Sequence, residues 1–272
     1  MTTIPVPSPS TTDTTNPVTA VIHRLDSVPS TNTWAKEHAA QLAHGDIVIT
    51  RDQTAGRGQR GNSWEAAPGM NLTFSLMLRP RNITPRRQWA ISQAVALGIS
   101  EALDHILRET GPAPGGSLEH VAIKWPNDIY VGDRKICGIL IENSLESPEI
   151  IGHSIAGIGI NVNQPEFVSD APNPISLRQL TGVDFVLDDV LDQCVGRVMH
   201  WFDIAESGNA RLLDGKYDTR LWRRSGVHEY ALPDGTRFRA RIMGVESDGR
   251  LKLIDTDDTI RQFYFKETAF VL

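Results

Sequence analysis

The spacing of apolar residues along the chain changes between a period of two and a period of about 3.6, which predicts strands alternating with helices. Short apolar runs predict strands at "VIHRL" and "DIVIT", and alternating apolar and polar residues predict another at "NLTFSLMLRP". Between the first two strands, "STNTWAKEHAAQLAHG" has a Ser or Thr cap, helical apolar spacing and Gly45 as a stop signal. We therefore expect a helix through this whole segment.

The second half of the chain continues the alternation. Thr84 and Pro85 suit the cap and first turn of a long helix that ends near "TGPAPGG". Turn signals then separate four strand-like segments, "VAIKW", "DIYV", "KICGILIE" and "IIGHSIAGIGINVN". The segment "LDDVLDQCVGRVMHWFDIAESG" predicts an amphipathic helix, and a further helix reaches about Trp222. Short strands with glycine turns follow, so the chain should end in a small β module.

These patterns divide the chain into three parts. Residues 1–20 are rich in Pro, Ser and Thr and should form a disordered tail, because they hold too few apolar residues to build a core. Residues 21–224 should form an α/β or α+β domain in which strands alternate with helices. Residues 225–272 should form the small β domain.

Composition narrows the class of protein. Hydrophobic residues make up 40% of the chain and charged residues 22%, as in folded soluble proteins, and the net charge of -6 argues against a general polyanion binder. No apolar run approaches the roughly 20 residues of a membrane helix, and the N-terminus lacks a secretory pattern. Two cysteines without a CxxC pair, and histidines without HExxH, predict no protein-bound metal. We expect a cytoplasmic protein that does not enter a membrane.

The loop "TAGRGQRGNSW", between two predicted strands, carries the first sign of chemistry. Its glycines let the backbone approach a ligand closely, and its arginines offer several donors to phosphate or carboxylate. It lacks the lysine-serine ending of a nucleotide P-loop. The loop suits a polyanionic small molecule, and the alternative is a surface turn whose arginines are solvated.

A second motif, "KWPNDIYVGDRKICGILIEN", places Lys124 and Lys135 on either side of one tight Pro-Asn-Asp turn. Either lysine alone would be interpreted as an exposed hairpin charge. Together with the glycine-rich loop, the two lysines predict positive charge gathered at one site.

Five pieces of the chain, "PSTNTWA", "QTAGRGQRGNSW", "KWPNDIYV", "RKICGILIE" and "GIGINVN", occur in the order and at the spacing of one family. On these motifs, which cover roughly residues 21–163, the chain resembles the biotin–protein ligases, also called biotin–[acetyl-CoA-carboxylase] ligases or holocarboxylase synthetases. The resemblance implies an α+β fold, in which residues 21–224 form a mixed β-sheet flanked by helices. This is the catalytic fold shared by biotin and lipoate ligases and class II aminoacyl-tRNA synthetases. It also implies an SH3-like β-barrel at the C-terminus.

The resemblance implies a reaction in two steps. Biotin's carboxylate attacks the α-phosphate of MgATP to give biotinyl-5′-adenylate and pyrophosphate, and a lysine of a biotin carboxyl carrier domain then takes the biotinyl group. Biotin and ATP would be substrates, Mg²⁺ would arrive with ATP, and the protein would be a monomer or a weak homodimer. No DNA-bound repressor role is expected, because only the tail precedes the first strand, where regulatory members carry a winged helix-turn-helix.

The resemblance implies three overlapping sets of site residues. The catalytic set is Lys135, Arg57, Lys124 and Asp128, of which the last would guide the incoming lysine amine. The biotin set is Ser30, Thr31, Asn32, Gln53, Arg57, Gly58, Gln59, Lys135 and Gly138. The adenylate set is Arg57, Arg60, Trp64, Lys124, Asn127, Lys135 and Asn161. Ser30 could equally cap a helix, and Trp64 could equally pack in the core.

Gln59 and Asn62 depart from the pattern of many bacterial relatives, which have arginines there, so weaker retention of the adenylate is expected. Two alternative functions stay open. A lipoyl or octanoyl ligase shares the fold and would adenylate lipoate instead of biotin. A non-catalytic adenylate-binding or DNA-binding regulator would release no pyrophosphate.

Overall fold

The larger of two β-sheets forms the centre of the molecule. The computed structural model describes residues 2–4, 20–58, 64–117, 119–168 and 173–271. The sheet contains β1 (Thr2–Ile4), β2 (Ala20–Val28), β3 (Ile47–Gln53), β4 (Leu72–Leu78), β5 (Val121–Lys124), β6 (Asp128–Val131), β7 (Arg134–Ser147) and β8 (Ile150–Ile160). Their spatial order is β1-β2-β3-β4-β8-β7-β6-β5. Because β2 and β3 run parallel and the other neighbours antiparallel, the sheet is mixed, as predicted.

Helices cover this sheet. They are α1 (Thr31–Glu37), α2 (Trp89–Thr110), α3 (Leu177–Thr181), α4 (Leu187–Glu206) and α5 (Ala210–Thr219). A single turn of 3-10 helix at Pro85–Arg87 precedes α2, where the sequence predicted the first helical turn. Helices α2 and α4 pack closely, because a Cβ on Gly98 would lie 2.5 Å from backbone atoms of Val198. The two long predicted helices are therefore present, and they share one apolar core with the sheet.

Strand β4 shows how polar side chains reach the interior. All seven of its residues are buried, although its alternating sequence is typical of a strand with one solvated face. Leu72 and Phe74 pack in the core that contains α2, whereas Met77 packs on the opposite face with residues of α1. Side chains alternate along a strand, so Thr73 and Ser75 lie on that second face, near α1.

The chain ends in the predicted small β domain, an antiparallel five-stranded sheet. Its strands are β9 (His228–Ala231), β10 (Arg237–Val245), β11 (Leu251–Asp255), β12 (Ile260–Phe263) and β13 (Ala269–Phe270), in the order β12-β11-β10-β9-β13. The domain packs on the larger one: the indole of Trp125 donates a hydrogen bond to the carbonyl of Gly249 at 2.9 Å. The domain boundaries given by the sequence stay predictions.

Helix α1 is shorter than predicted, since it ends at Glu37 rather than continuing to Gly45. The cause is a contact with a residue from another part of the chain. The Arg79 guanidinium donates hydrogen bonds to the carbonyls of Ala39 and Leu42 at 2.7–3.2 Å, so these carbonyls are satisfied without helical partners.

Two further elements differ from the sequence interpretation. Helix α3 was not predicted, although Ser176 and Gln179 form a capping box at its start. Residues Thr2–Ile4 form a strand paired with β2, which differs from the predicted disordered tail; residues 5–19 lie outside the described residues. Among the described helices, none is both long and apolar enough to cross a membrane.

Candidate active site

A cavity of about 430 Å³ opens where the centre of the large sheet meets α1 and the C-terminal domain. This volume is typical of a small-molecule site. Twelve of the predicted site residues line it: Ser30, Thr31, Asn32, Gln53, Arg57, Gly58, Trp64, Lys124, Asn127, Asp128, Lys135 and Gly138.

The sheet register explains why residues from separate motifs meet. Lys124 pairs with Asp128 across β5 and β6, Asp128 with Gly138 across β6 and β7, Gly138 with Gly159 across β7 and β8, and Gly159 with Thr73 across β8 and β4. Paired residues in antiparallel strands point to the same face. One row across five strands therefore faces the cavity.

One end of the cavity is a network of buried polar groups. The Ser75 hydroxyl lies 2.8 Å from Thr31 Oγ1 and 2.6 Å from Asn32 Oδ1. The Thr31 amide donates to Gln53 Oε1 at 2.9 Å, and the Asn32 amide donates to Glu142 Oε2 at 2.8 Å. These contacts fix the orientation of each donor and acceptor. The arrangement suits a ligand group that itself donates and accepts hydrogen bonds.

Ser30 has the capping geometry that the sequence allowed. It is the N-cap of α1, and its hydroxyl accepts a hydrogen bond from the amide of Thr33 at 3.4 Å. It also lines the cavity, so capping and ligand contact are compatible at this residue.

Glycines leave the backbone uncovered by side chains on the floor of the cavity. A Cβ on Gly159 would collide with the indole of Trp64, and a Cβ on Gly138 would lie 3.0 Å from the same ring. A Cβ on Gly157 would collide with the amide group of Asn32. Gly157 and Gly159 were missed by sequence reasoning, but their spacing of two in a predicted strand is the available signal, because it puts both on one face.

The two lysines of the second motif come together as predicted. Lys135 Nζ forms an ion pair with Asp128 Oδ1 at 2.8 Å and lies 5.7 Å from the ring centre of Trp64. The backbone of Lys135 is held on both sides: its amide donates to the carbonyl of Asn173 at 2.8 Å, and its carbonyl accepts from Ile175 at 2.9 Å. The ammonium therefore projects from a fixed point of the fold.

Lys124 is half-buried and lines the same cavity. Its ammonium donates a hydrogen bond to the Tyr130 hydroxyl at 2.9 Å. Burial lowers the pKa of Lys124, and the nearby charges of Lys135 and Arg223 act in the same direction, whereas Asp128 and Asp133 oppose the shift.

Arg57 is exposed over 49% of its side chain, compared with 25% for Lys135. It donates to Thr33 Oγ1 at 3.0 Å and lies 3.6 Å from Glu142 Oε2. The Asn127 amide donates to the carbonyl of Ile139. Arg57 and Asn127 thus stand at the cavity with their positions set by neighbouring strands and α1.

Comparison with known proteins identifies the family. Residues 24–161, which contain the row of cavity residues from β4 to β8, match the model of the biotin/lipoate A/B protein ligase family. The chain belongs to this family. The predicted family is therefore confirmed, and the motifs that suggested it are those that line the cavity.

Curated relatives agree with this assignment, and a solved structure shares the fold. The bifunctional ligase/repressor BirA of Bacillus subtilis (strain 168) is 30% identical over 259 residues, which cover 88% of this chain and 70% of that protein. A biotin–[acetyl-CoA-carboxylase] ligase of Paracoccus denitrificans is 32% identical over 181 residues, 65% of this chain and 71% of that protein. The biotin protein ligase of Aquifex aeolicus in complex with biotin and ATP is 24% identical, with a TM-score of 0.74 over 92% of this chain and 97% of that chain. The predicted fold class is confirmed.

One residue predicted from this family is described by the structure but does not line the cavity. Asn161 is buried outside it, and its amide donates to the carbonyls of Ile175 at 3.1 Å and Lys135 at 3.5 Å. In this geometry the Asn161 amide supports the backbone beneath Lys135, and its contact with the adenylate stays a prediction. Gln59 and Arg60 lie outside the described residues.

The C-terminal domain forms one wall of the ligase-family cavity, which sequence reasoning missed. Leu232, Lys266 and Phe270 are among the residues it contributes. Their own sequence carries no motif, because they reach the site only through packing between domains. The cavity is therefore complete only when both domains are present.

The described residues contain no group of three or more His, Cys, Asp or Glu side chains that could hold a metal ion. The carboxylates beside the cavity are already paired, Asp128 with Lys135 and Glu142 with Asn32 and Arg57. These residues do not fit a metal cage of their own.

Proposed function

We propose that the protein is a biotin–protein ligase that activates biotin with MgATP and transfers it to a lysine of a biotin carboxyl carrier domain. The observation that carries this proposal is a single cavity with a hydrogen-bonding end and a cationic side. The two parts match the two ends of biotin, a cyclic urea and a carboxylate. Membership of the ligase family supports the same reading.

The polar end of the cavity suits the cyclic urea. Thr31 and Asn32 line the cavity, and the buried Ser75 hydroxyl holds their donors and acceptors in place. A dithiolane ring, as in lipoate, can neither donate nor accept such hydrogen bonds, so these groups would keep only their contacts within the protein. The network therefore favours biotin over lipoate.

The cationic side suits the first step. The biotin carboxylate attacks the α-phosphorus of ATP, the bond to the β,γ-pyrophosphate breaks, and the mixed anhydride biotinyl-5′-adenylate forms. Both reactants are anions, so the step needs fixed positive charge where they meet. Lys135 and Arg57 face the junction of carboxylate and phosphate, Lys124 faces the phosphates, and Asn127 and Trp64 stand toward the adenylate.

Asp128 suits the second step. The lysine amine of the carrier attacks the acyl carbon, the bond to AMP breaks, and the amine loses a proton. The Asp128 carboxylate lies at the cavity, held by Lys135 at 2.8 Å, and it can orient the amine and accept this proton. The predicted carrier, the monomeric or weakly dimeric state and the absence of DNA binding belong to the same proposal.

One experiment tests the reaction and its substrate. The purified chain is incubated with biotin, MgATP and a biotin carboxyl carrier domain, and the intact mass of the carrier is measured. We expect a gain of one biotinyl group and release of pyrophosphate. A carrier whose acceptor lysine is replaced by arginine is the matched control and should gain nothing.

A parallel incubation with lipoate and a lipoyl domain should leave that domain unchanged. A lipoyl gain there, without a biotinyl gain, would assign the chain to the lipoate branch of its family. Binding of biotin without pyrophosphate release would point instead to a non-catalytic binder.

A further inference from the structure

Three aromatic rings enclose the ammonium group of Lys124. Its Nζ lies 4.6 Å from the ring centre of Tyr130, 5.3 Å from that of Trp222 and 5.9 Å from that of Phe270. We call these three residues the aromatic box. Tyr130 belongs to β6, Trp222 follows α5, and Phe270 belongs to β13 of the C-terminal domain. The box therefore joins two domains around one lysine.

The rings of the box support one another. The ring centres of Tyr130 and Trp222 lie 5.3 Å apart, and Trp222 and Phe270 meet edge to face at the same separation. The Trp222 indole donates to the carbonyl of Gly132 at 2.9 Å, which fixes it to the β6–β7 turn. Tyr130 and Trp222 are buried. Such a box is rigid, so it can hold an ammonium group at one position.

The last strand is tethered to the box from the other side. The Arg223 guanidinium lies 4.1 Å from the Trp222 ring centre and donates a hydrogen bond to the carbonyl of Val271 at 2.6 Å. Val271 follows Phe270 directly. The placement of Phe270 thus depends on a polar contact as well as on apolar packing.

The aromatic box attracts the ammonium group electrostatically, which an aliphatic wall would not do. An aromatic face attracts an ammonium group without competing for its protons as an anion would. Lys124 uses one N–H for the Tyr130 hydroxyl, and its remaining donors stay available on the cavity side. Burial disfavours the charged form of Lys124, whereas an aromatic face favours an ammonium group.

We propose that the C-terminal domain takes part in adenylation by positioning Lys124, with Phe270 as its positioning residue. This inference rests on the proposed function, in which Lys124 binds the phosphates of ATP. It assigns to β13 a role that goes beyond closing the cavity wall. Phe270 acts through Lys124 and does not itself need to touch the substrate.

The test compares two leucine substitutions in the same domain. Phe270→Leu removes a ring of the box, and Phe238→Leu removes a ring that also packs on Tyr230 but is absent from the box. The ring centres lie 5.2 Å and 5.6 Å from that of Tyr230, so similar losses of thermal stability are expected. Biotin-dependent exchange of pyrophosphate into ATP measures the adenylation step, and thermal unfolding measures the fold.

We expect Phe270→Leu to lower kcat for exchange by about three- to tenfold, with KM for biotin unchanged, because the biotin head binds at the opposite end of the cavity. Phe238→Leu should keep the wild-type rate. Phe270→Tyr, which retains a ring, should restore the rate. Equal rate losses in the two leucine variants, or no loss in Phe270→Leu, would overturn the inference.

A double-mutant cycle with Lys124→Met adds a second, independent criterion. If Phe270 acts through Lys124, then Phe270→Leu should cause no further loss of exchange in the Lys124→Met background. The same fold loss in both backgrounds would show that Phe270 is only structural. Failure of the proposed function is distinguishable, because the wild-type protein itself would then show no biotin-dependent exchange.

Discussion

The replacement of Lys135 by methionine separates catalysis from folding most sharply. Methionine keeps the apolar volume of the lysine stem and removes the ammonium group. In the structure that group pairs with Asp128 at 2.8 Å and lies beside Trp64, so the substitution removes a charge from the centre of the cavity. The backbone of Lys135 keeps its hydrogen bonds to Asn173 and Ile175. The local fold should therefore survive.

The structure sets the size of both effects. The Lys135 and Asp128 side chains are 25% and 27% exposed, so water screens the pair and its loss should cost at most about 1 kcal/mol of folding free energy. Asp128 also keeps Lys124 as a neighbouring positive charge. Removing one preorganised group that stabilises developing charge costs roughly 3–4 kcal/mol of barrier, or about two to three orders of magnitude in rate.

Two measurements check this prediction. Pyrophosphate release at saturating biotin and ATP reports adenylation, and transfer from chemically supplied biotinyl-adenylate reports the second step. We expect the first to fall by about two to three orders of magnitude and the second to fall less, through weaker binding of the intermediate.

The matched control is Lys252→Met. Lys252 pairs with Glu246 at 3.1 Å, and the two side chains are 32% and 33% exposed, much like the pair in the cavity. Both methionine variants should unfold at similar temperatures, but Lys252→Met should keep the wild-type rate. If Lys135→Met releases pyrophosphate at nearly the wild-type rate, Lys135 is only a paired hairpin charge and its assignment to the site is wrong.

Three further predictions follow from burial and close packing. Burial lowers the pKa of Lys124, so the rate of adenylation should fall as the pH rises through that lowered pKa and the ammonium loses its proton. In Lys124→Arg the pH–rate profile should show this fall only at higher pH, because a guanidinium keeps its charge. Gly159→Ala should displace Trp64, which the proposal assigns to the adenylate, and should weaken ATP binding by about tenfold in titration calorimetry. Unchanged ATP binding would count against the glycine floor. Gly98→Ala should lower the free energy of unfolding in urea by about 1–3 kcal/mol, because its Cβ would overlap α4. Gly196→Ala, at a position with open space around it, should instead raise the free energy of unfolding by up to about 1 kcal/mol.

The spacing of apolar residues was enough to predict the helices that bury a long apolar face. The long helices α2 and α4 show clear helical spacing in the sequence, and each buries a continuous apolar face. Helix α1 was overpredicted because Arg79, far along the chain, binds carbonyls that a longer helix would have used. No local signal encodes such a contact, so the end of α1 could not be predicted from its own residues.

The residues of the candidate site also fall into those that the sequence could predict and those that it could not. Lys124, Lys135 and Arg57 stand in motifs that are recognisable in the sequence, and the structure places all three at one cavity. Phe270 and Lys266 line the same cavity without any motif, because the packing of a second domain brings them there. Asn161 shows the opposite case: it lies within a motif, but its side chain is buried beneath Lys135.

The glycines of two motifs acquire their meaning only from the register of the sheet. Taken singly, Gly138 and Gly159 are strand glycines, which usually weaken a strand. The structure pairs them across β7 and β8, so the absence of both side chains leaves one continuous strip of backbone. The flat ring of Trp64 lies on that strip, and any Cβ on Gly159 would collide with it. These glycines therefore serve one surface that receives a planar group, and a turn requirement does not explain either of them.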